Sequence, residues 1–558
     1  MRQLIIAILI SMPFFAASQT SLEELTQKIS ASIMEVNDGK ATVIQRFDTD
    51  KAKPYHLTYV RRTIDAKGKE LEEKWAFNLA DIDKNTVRWE DKKNVLLVLM
   101  RVAREQRLIK YFKNGEAQAY TNELILLAKG IDNARELEAN FEEAILPAQA
   151  VWEKEIDING RQPSELFDML FKYVGEVQYG DKVAKQTLGL EGSNEYPDRL
   201  RLHVETFNAK GASASETYSW SIGDLNEQSV RLSVRNERVM VEAKTQRNIR
   251  WIKTEKDGEQ GNFENNLEIL VSDPDQGKMV QILLEKLIPF GQEQIKNRLP
   301  QTSSSAETLS LLAGTQQKFS SDKSELDQSI KTDCQSMLTF KETGEKKNEV
   351  EEYEFHFGDL NERSVELQIK GKNIIVEAGT IERNKFIGYA ENGEGKNFKN
   401  NIDFRFADVE QARLFEYLLP VAASQCRQAP EVKDLEWLKK SLAESEQTQA
   451  GLIQKLEQQT ADSECKWKFT SIETSEKKTK EEVSEFNLYD LDPNQANINV
   501  SGRTISLGLK TKFNQKIISH YENGKPSYTS ALEIVMPNLE SAKIAHATIL
   551  ALIENCKQ

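Results

Sequence analysis

The chain has 558 residues, of which 88 are acidic, 74 are basic and 39% are apolar, and its formal net charge is −14. The negative charge argues against a general nucleic-acid binder and favours solubility. The apolar content is too high for a disordered chain and is sufficient for several modest hydrophobic cores.

Residues 1–18 have the pattern of a secretory signal peptide. Arg2 gives a short positive region, an apolar stretch follows, and small residues precede Gln19 as they do at a cleavage site. No cysteine stands directly after the apolar stretch, which disfavours a lipid-anchored bacterial lipoprotein, and no other window is apolar enough to cross a bilayer. We therefore expect a protein exported to the periplasm or the extracellular space, with no transmembrane span. An uncleaved N-terminal anchor is the less favoured alternative, because the apolar run is short.

An Asp followed by Leu or Ile recurs four times, and each time a turn dipeptide follows thirty-three residues later. We call these residues the marker aspartates. The four pairs are Asp81 with Asn114-Gly115, Asp224 with Asp257-Gly258, Asp359 with Asn392-Gly393, and Asp490 with Asn523-Gly524. A constant spacing in otherwise divergent segments indicates one structural unit copied four times.

Each unit combines alternating apolar residues, which are typical of half-buried strands, with a closing amphipathic helix. The sequence predicts an α+β fold of four tandem repeats, each a bent antiparallel sheet of about six strands with a C-terminal helix and usually an introducing helix. After the signal peptide, the predicted domains are residues 19–156, 157–300, 301–429 and 430–558.

The helix boundaries follow from capping residues and prolines. Prolines at 147, 289 and 420 are expected to end three closing helices, because proline cannot continue the hydrogen-bond ladder. The introducing helices are predicted at residues 22–33, 165–174 and 435–459, and the last of these is long enough to be a spacer.

The order of elements resembles a pleckstrin-homology-like domain, which is a bent antiparallel sheet capped by a C-terminal helix. The phrase Phe357-Gly358-Asp359-Leu360-Asn361, which has counterparts around Asp224 and Asp490, also resembles stretches in uncharacterised secreted bacterial proteins. These resemblances imply a fold and carry no activity with them.

Four cysteines allow three disulfide pairings. Cys334 and Cys465 each lie twenty-five residues before a marker aspartate, and Cys426 and Cys556 lie at nearly equal distances after it. The matched positions predict the bonds Cys334–Cys426 and Cys465–Cys556, each inside one repeat. A metal site is disfavoured because the four residues are scattered.

No catalytic or phosphate-binding motif is present in the sequence, and no cofactor or metal is predicted. The five histidines occupy different places in the repeat, which is typical of ordinary strand and surface residues. The marker aspartates could form a carboxylate site, but we interpret them as turn-forming residues that bond their own backbone.

A basic series on the predicted fourth and fifth strands of the first two repeats reverses the charge of the acidic chain. It can be a solvated edge that blocks pairing of strands, or a groove for an anionic ligand or acidic partner, with Tyr111 and Trp251 as apolar contacts. The candidate binding residues are Arg104, Arg107, Lys110, Arg247, Arg250 and Lys253.

Two classes of function are compatible with these patterns. Repetition without an invariant polar cluster favours a non-catalytic binding or scaffolding protein that presents four related domains to a partner protein or an anionic ligand. The alternative is an enzyme with its active site at a junction between domains, where repetition would not reveal it.

Overall fold

The computed structural model describes residues 21–556, apart from residues 38–39, 94, 192–195, 212, 316–317, 322–323, 346–347, 449–450, 461–462 and 476–477. The predicted signal peptide therefore lies outside the described residues. The chain forms two compact units, of which unit 1 ends at Arg298 and unit 2 begins at Leu299. For description, we divide each unit into two segments: 1 and 2 are residues 21–156 and 157–298, and 3 and 4 are residues 299–429 and 430–556.

Unit 1 begins with α1 (Leu22–Ser32), which Ser21 caps through a hydrogen bond to Glu24. Segment 1 ends with α2 (Ile131–Glu155), and segment 2 runs from α3 (Pro163–Tyr173) to α4 (Pro274–Arg298). The strands of segment 1 are β1 (Val36–Asn37), β2 (Ala41–Thr49), β3 (His56–Asp65), β4 (Glu70–Asn78), β5 (Arg88–Lys92), β6 (Val95–Arg101), β7 (Ile109–Lys113), β8 (Glu116–Thr121) and β9 (Glu123–Ala128). Those of segment 2 are β10 (Glu176–Tyr179), β11 (Lys182–Leu190), β12 (Arg199–Phe207), β13 (Ser213–Ser221), β14 (Arg231–Arg235), β15 (Arg238–Lys244), β16 (Lys253–Lys256), β17 (Glu259–Gln260) and β18 (Asn266–Val271).

In unit 2, segment 3 runs from α5 (Ser305–Gly314) to α6 (Val409–Cys426), and segment 4 from α7 (Leu435–Thr448) to α8 (Leu539–Asn555). The strands of segment 3 are β19 (Lys318–Ser321), β20 (Ser324–Ile330), β21 (Gln335–Gly344), β22 (Asn348–His356), β23 (Glu366–Lys370), β24 (Asn373–Gly379), β25 (Gly388–Glu391), β26 (Glu394–Gly395) and β27 (Asn401–Phe406). Those of segment 4 are β28 (Leu452–Thr460), β29 (Ser463–Ser475), β30 (Lys478–Asn487), β31 (Asn497–Ser501), β32 (Thr504–Lys510), β33 (Ile518–Glu522), β34 (Lys525–Thr529) and β35 (Ala531–Met536).

The same strand order recurs in the four segments. Segment 1 contains a six-stranded sheet of order β1-β2-β3-β4-β7-β8 and a three-stranded sheet of order β5-β6-β9, and all its strand pairs are antiparallel. Segments 2 and 3 match it, and the larger sheet of segment 4 has five strands. The described residues thus form eight helices and eight antiparallel sheets, an α+β fold that is consistent with repeated sheet domains. The four predicted domain boundaries stay a prediction.

The prediction of one sheet per repeat is wrong, because two tight turns separate a larger sheet from a smaller one in each segment. In segment 1 the marker turn (Leu79–Asp81) and a second turn (Lys84–Thr86) follow β4 directly. The chain passes there from the larger sheet to β5 of the smaller one. The equivalent marker turns are Ile222–Asp224, Phe357–Asp359 and Leu488–Asp490.

The Asn-Gly and Asp-Gly turns adopt the geometry that their composition favours. Asn114 has a φ of 50° and Gly115 a φ of 84°, so both central residues are left-handed, as in a type I′ turn. The Asn114 side chain also accepts a hydrogen bond of 3.1 Å from the backbone N–H of Glu72 on β4. The Asp or Asn of the other three turns makes the same cross-strand bond, to Ser215, Val350 and Glu481.

The prediction that prolines end the closing helices is wrong. Helix α4 continues from Pro289 to Arg298, and α2 and α6 likewise run through their prolines. The continuation packs on the marker turn of the same segment. Gly291 lies so close that a β-carbon there would be 2.4 Å from the Gly223 backbone nitrogen. This packing outweighs the hydrogen bond that proline removes.

The introducing helix predicted at residues 435–459 is also wrong in its second half. Helix α7 ends at Thr448, and β28 then pairs with β29. Gly451 has a φ of 82°, a left-handed conformation that a helix does not contain. Helix α5 was not predicted from the sequence, although it contains three leucines.

Two disulfides tie the closing helices of unit 2 to a strand region of the same segment. They join Cys334 to Cys426 and Cys465 to Cys556, which is the pairing that the matched cysteine positions predict. Such bonds are typical of exported proteins. In the part of the chain that the structure describes, no helix is long and apolar enough to cross a membrane.

Within unit 1 the two segments contribute side chains to each other's hydrophobic core. Leu232 and Val234 of β14 pack against the core of segment 1, and Tyr120 of β8 belongs to the core of segment 2. In unit 2, Phe398 of segment 3 packs against the core of segment 4 in the same way. The junction between two segments of one unit is therefore a packed contact.

Candidate functional site

The structure places the predicted basic series mainly on connections, and not on two adjacent strands. Arg104 and Arg107 lie between β6 and β7, and Arg247 and Arg250 lie between β15 and β16. All four are exposed, and no ion pair is found for them among the described residues. The remaining two members, Lys110 and Lys253, are half-buried at the start of β7 and β16.

The two aromatic residues that were expected beside the basic series cannot contact a ligand freely. Tyr111 stacks on Trp75 at 5.2 Å between ring centroids, and its hydroxyl donates to Glu73 at 2.6 Å. Trp251 is only 4% exposed. The predicted groove with apolar contacts is therefore corrected to exposed arginines on two turns.

These turns have a strained backbone. Arg104 and Arg247 have φ angles of 55° and 53°, and the residue after each is left-handed too. The equivalent residues of the other segments are Glu382, with a φ of 54°, and Phe513, with a φ of 56°. Residues other than glycine adopt this conformation rarely, and it costs on the order of 1 kcal/mol or more. We call these four elements the left-handed turns.

A buried charge cluster joins the two segments of unit 1. Lys278 on α4 places its Nζ 2.6 Å from Oδ1 of the marker Asp81 and 2.7 Å from Oδ1 of Asp275. Asp275 also bonds to Nε2 of His56 and accepts a hydrogen bond of 3.0 Å from Asn78. The three side chains of the ion pairs are at most 16% exposed. We call this arrangement the clamp.

The clamp changes the pKa values of its two carboxyl groups in opposite directions. Burial raises the pKa of Asp81, the negative charge of Asp275 raises it further, and Lys278 offsets these effects only in part. Burial would also raise the pKa of Asp275, but the hydrogen bond from His56 and the charge of Lys278 outweigh it and lower that pKa. Asp81 therefore depends chiefly on the ammonium group of Lys278, whereas Asp275 has both His56 and Lys278.

Unit 2 contains the equivalent clamp. Lys543 on α8 places its Nζ 2.6 Å from Oδ2 of the marker Asp359 and 4.0 Å from Glu540. Its Nζ also lies 5.6 Å from the centroid of the Phe386 ring. Lys278 and Lys543 each follow the N-cap of their helix by five residues, so the same two positions meet in both units.

The interpretation of the marker aspartates as turn-forming residues is wrong for Asp81 and Asp359. The side chain that caps the marker turn belongs to the residue three positions earlier: Asn78 accepts from the Ala80 N–H at 2.9 Å, and His356 accepts from the Gly358 N–H at 3.0 Å. The aspartate itself is left available for the lysine of the next segment.

Sequence reasoning missed the lysine although a signal existed. Each closing helix carries an acidic residue two positions after its N-cap and a basic residue three positions later. The four pairs are Asp132 with Arg135, Asp275 with Lys278, Glu410 with Arg413, and Glu540 with Lys543. Alignment of the four closing helices on their N-caps would have shown this recurring pair of an acidic and a basic residue.

A cavity of about 520 Å³ lies next to the clamp of unit 2. Because the His356 Nδ1 accepts a backbone hydrogen bond, its ring carries the proton on Nε2 in the neutral form. Burial lowers the pKa of His356, and Lys543 lowers it further, against Asp359 and Glu540, which raise it. The ionisable groups that line the cavity include His356, Asp359, Glu540, Lys543 and His546.

One cluster of described residues has the geometry for a metal ion. Glu482, His520 and Glu522 on β30 and β33 have ligand atoms within 4.8 Å of one another. However, Lys480 already pairs with Glu482 at 2.7 Å, and the His520 Nδ1 bonds to Ser484 at 3.1 Å. These contacts explain the cluster as an ordinary group of ion pairs.

No family model matches this chain, and no curated protein is significantly similar to it. The function must therefore be argued from the residues themselves.

Replacing Lys278 with Met should destabilise unit 1 by about 3 to 5 kcal/mol, because it removes the cation of the buried Asp81 and leaves the buried Asp275 with His56 alone. Lys28→Met is the matched control, since Lys28 makes only an exposed ion pair of 3.8 Å with Glu143 and should change stability by less than about 1 kcal/mol. Urea unfolding of the full chain measures both. Equal, small effects would mean that the clamp does not hold the segments.

His356→Asn should make the stability of unit 2 less dependent on pH. The lowered pKa means that the folded protein favours the neutral ring, so its stabilising effect is present above pH 6.5, the ordinary value, and is lost as the pH falls below it. Asn keeps the turn cap, as Asn78 does in segment 1. Between pH 7.5 and pH 5.5, the melting temperature should fall further for the wild type than for His356→Asn. An equal fall in the two proteins would contradict this prediction.

Proposed function

We propose that the protein is an exported, non-catalytic binding protein built from four copies of one α+β unit of pleckstrin-homology-like order. The signal-peptide pattern and the two disulfides support export. The recurring strand order, marker turns and closing helices support the four copies. The proposed role is to present the left-handed turns of the four segments to a partner.

The left-handed turns carry this proposal. The first left-handed position of each carries an exposed side chain, and these are of three kinds: Arg104 and Arg247, Glu382, and Phe513. A backbone conformation that costs energy is kept four times while its side chain varies, as expected if the turn displays contact residues. In three segments a threonine braces the turn, as where the Thr511 hydroxyl donates to the Gln515 carbonyl at 2.6 Å.

The first two turns favour an acidic partner. Each exposes two arginines, and no carboxylate within the described residues neutralises them. Exposed arginines can bind the carboxylates of a partner through paired hydrogen bonds, and they raise the rate of association with acidic surfaces. Phosphate or sulfate groups of an anionic ligand would satisfy the same guanidinium groups.

The clamp of unit 1 supports a binding protein over an enzyme. In unit 1 every charged group of the clamp has a buried partner of opposite charge, so none is a free acid, base or nucleophile. The alternative is an enzyme with its site at the junction in unit 2. The cavity beside His356 and Lys543 favours it, because ionisable groups from two segments converge there.

Replacing Arg104, Arg107, Arg247 and Arg250 together with Ser should weaken binding of an acidic partner and leave the fold intact, since exposed charges contribute little to stability. We would measure binding of a fluorescent polyglutamate peptide and capture of partners from the exporting cell. Added salt should weaken wild-type binding, because it screens exposed charges.

The matched control removes four equally exposed lysines elsewhere in unit 1, Lys51, Lys67, Lys182 and Lys210, and so changes the net charge equally. The proposal requires the control to bind as the wild type does. If both variants lose binding equally, only net charge matters. If the arginine variant binds fully, the turns do not bind an acidic partner.

A further inference from the structure

The surface beside the clamp is covered in segment 3 by the segment that follows it. We define the marker face of a segment as three parts. These are its marker turn, its left-handed turn, and the residue four positions after the first left-handed residue of that turn. In segment 3, Asp359 bonds to Lys543, and Phe386 lies below the same ammonium group. Ile544 of α8 lines the cavity with them. The start of an amphipathic helix thus covers the face with one cation and one apolar residue.

The marker face of segment 1 receives the same kind of cover. Asp81 bonds to Lys278 of α4. Leu108, which corresponds to Phe386, is only 6% exposed. Met279 follows Lys278 as Ile544 follows Lys543, but it is buried in the core of segment 2. The contact that both units share is therefore a marker aspartate paired with a helix cation.

The marker face of segment 4 has the same design but is uncovered. Phe513 is 87% exposed, Tyr489 is 50% exposed, and Ile517, which corresponds to Phe386, is 44% exposed. Asp490 has no ion pair among the described residues. Lys512 places its Nζ 3.9 Å from the centroid of the Tyr489 ring, and exposed apolar side chains on an ordered surface are typical of an interaction site. Phe513 is also held at a positive φ, so a strained turn presents this ring to solvent.

A second copy of this chain is a poor occupant for the face. A copy would have to bring α2 of its own segment 1, where Arg135 corresponds to Lys278. However, the next residue is the exposed Glu136, where α4 has Met279. Asp91 of β5 likewise stands where β14 has Val234. Polar residues at these positions disfavour stacking of segment 1 on such a face.

We propose that the marker face of segment 4 binds the first turns of an amphipathic helix of a partner protein. A lysine or arginine of that helix pairs with Asp490, and the apolar residue after the cation contacts Phe513 and Ile517. The inference rests on the proposed binding function but uses none of the four arginines. Its failure is therefore distinguishable from failure of the acidic-partner proposal.

The probe is a fluorescent peptide of residues 538–555, the helix that covers the equivalent face of segment 3. Short helices are only marginally stable in water, so a covalent staple joins positions 545 and 549 of the peptide. At 100° per residue, these positions lie on the side of the helix opposite Lys543. Fluorescence anisotropy with the full chain should show saturable binding. Phe513→Ser should weaken it about fivefold or more, as loss of an aromatic contact at the centre of an interface does.

A charge exchange tests the ion pair. Asp490→Lys should weaken binding of the same peptide, and a peptide with Lys543→Glu should restore binding to that variant. A stapled peptide of residues 130–147 is the control, because Glu136 replaces the apolar residue, and it should bind more weakly. Phe513 is mostly exposed, so Phe513→Ser should melt at the wild-type temperature.

Several results would overturn the proposal. They are absence of saturable binding, equal binding of both peptides, or binding that is unaffected by Phe513→Ser and by the charge exchange. Sedimentation of the full chain distinguishes a partner protein from a second copy of the chain as the occupant of the face. The proposal expects a monomer, whereas an oligomer that Phe513→Ser dissociates would show that a second copy covers the face.

Discussion

The arrangement within each unit depends on one ion pair between segments, formed by a marker aspartate and the lysine near the start of the next closing helix. In unit 1, Lys278 lies between Asp81 and Asp275, and all three side chains are nearly buried. Burying charges costs several kcal/mol per ion, and the cost is recovered only when every partner is in place. The clamp therefore specifies how the two segments meet more than it adds to stability.

The turns beside the clamp explain how one fold can carry several surfaces. The pair of a marker aspartate and a helix lysine recurs in both units, whereas the exposed residue of the left-handed turn changes from Arg104 to Phe513. Where a following segment covers the marker face, polar and apolar contacts are internal. Where none covers it, as around Asp490, the same contacts are open to another protein.

The sequence predicted features that depend on local chemistry. The Asn114-Gly115 turn needs two positive φ angles, which these residues tolerate best, and equal cysteine positions indicate equal pairing. It did not predict the clamp, because Asp81 and Lys278 belong to different segments and meet only through tertiary packing. For the same reason the predicted end of α4 at Pro289 was wrong, because the contact of the helix with Gly223 outweighs the local tendency of proline to end a helix.

Native-state hydrogen exchange of the full chain tests most directly whether the clamp joins the segments. In the wild type, the core amides of β6 in segment 1 and β15 in segment 2 should open with one shared free energy, because the segments unfold together. With Asp81→Asn and Lys278→Met combined, the two strands should open with separate free energies. The account is contradicted if the strands still open together in the double variant, or if they already open separately in the wild type.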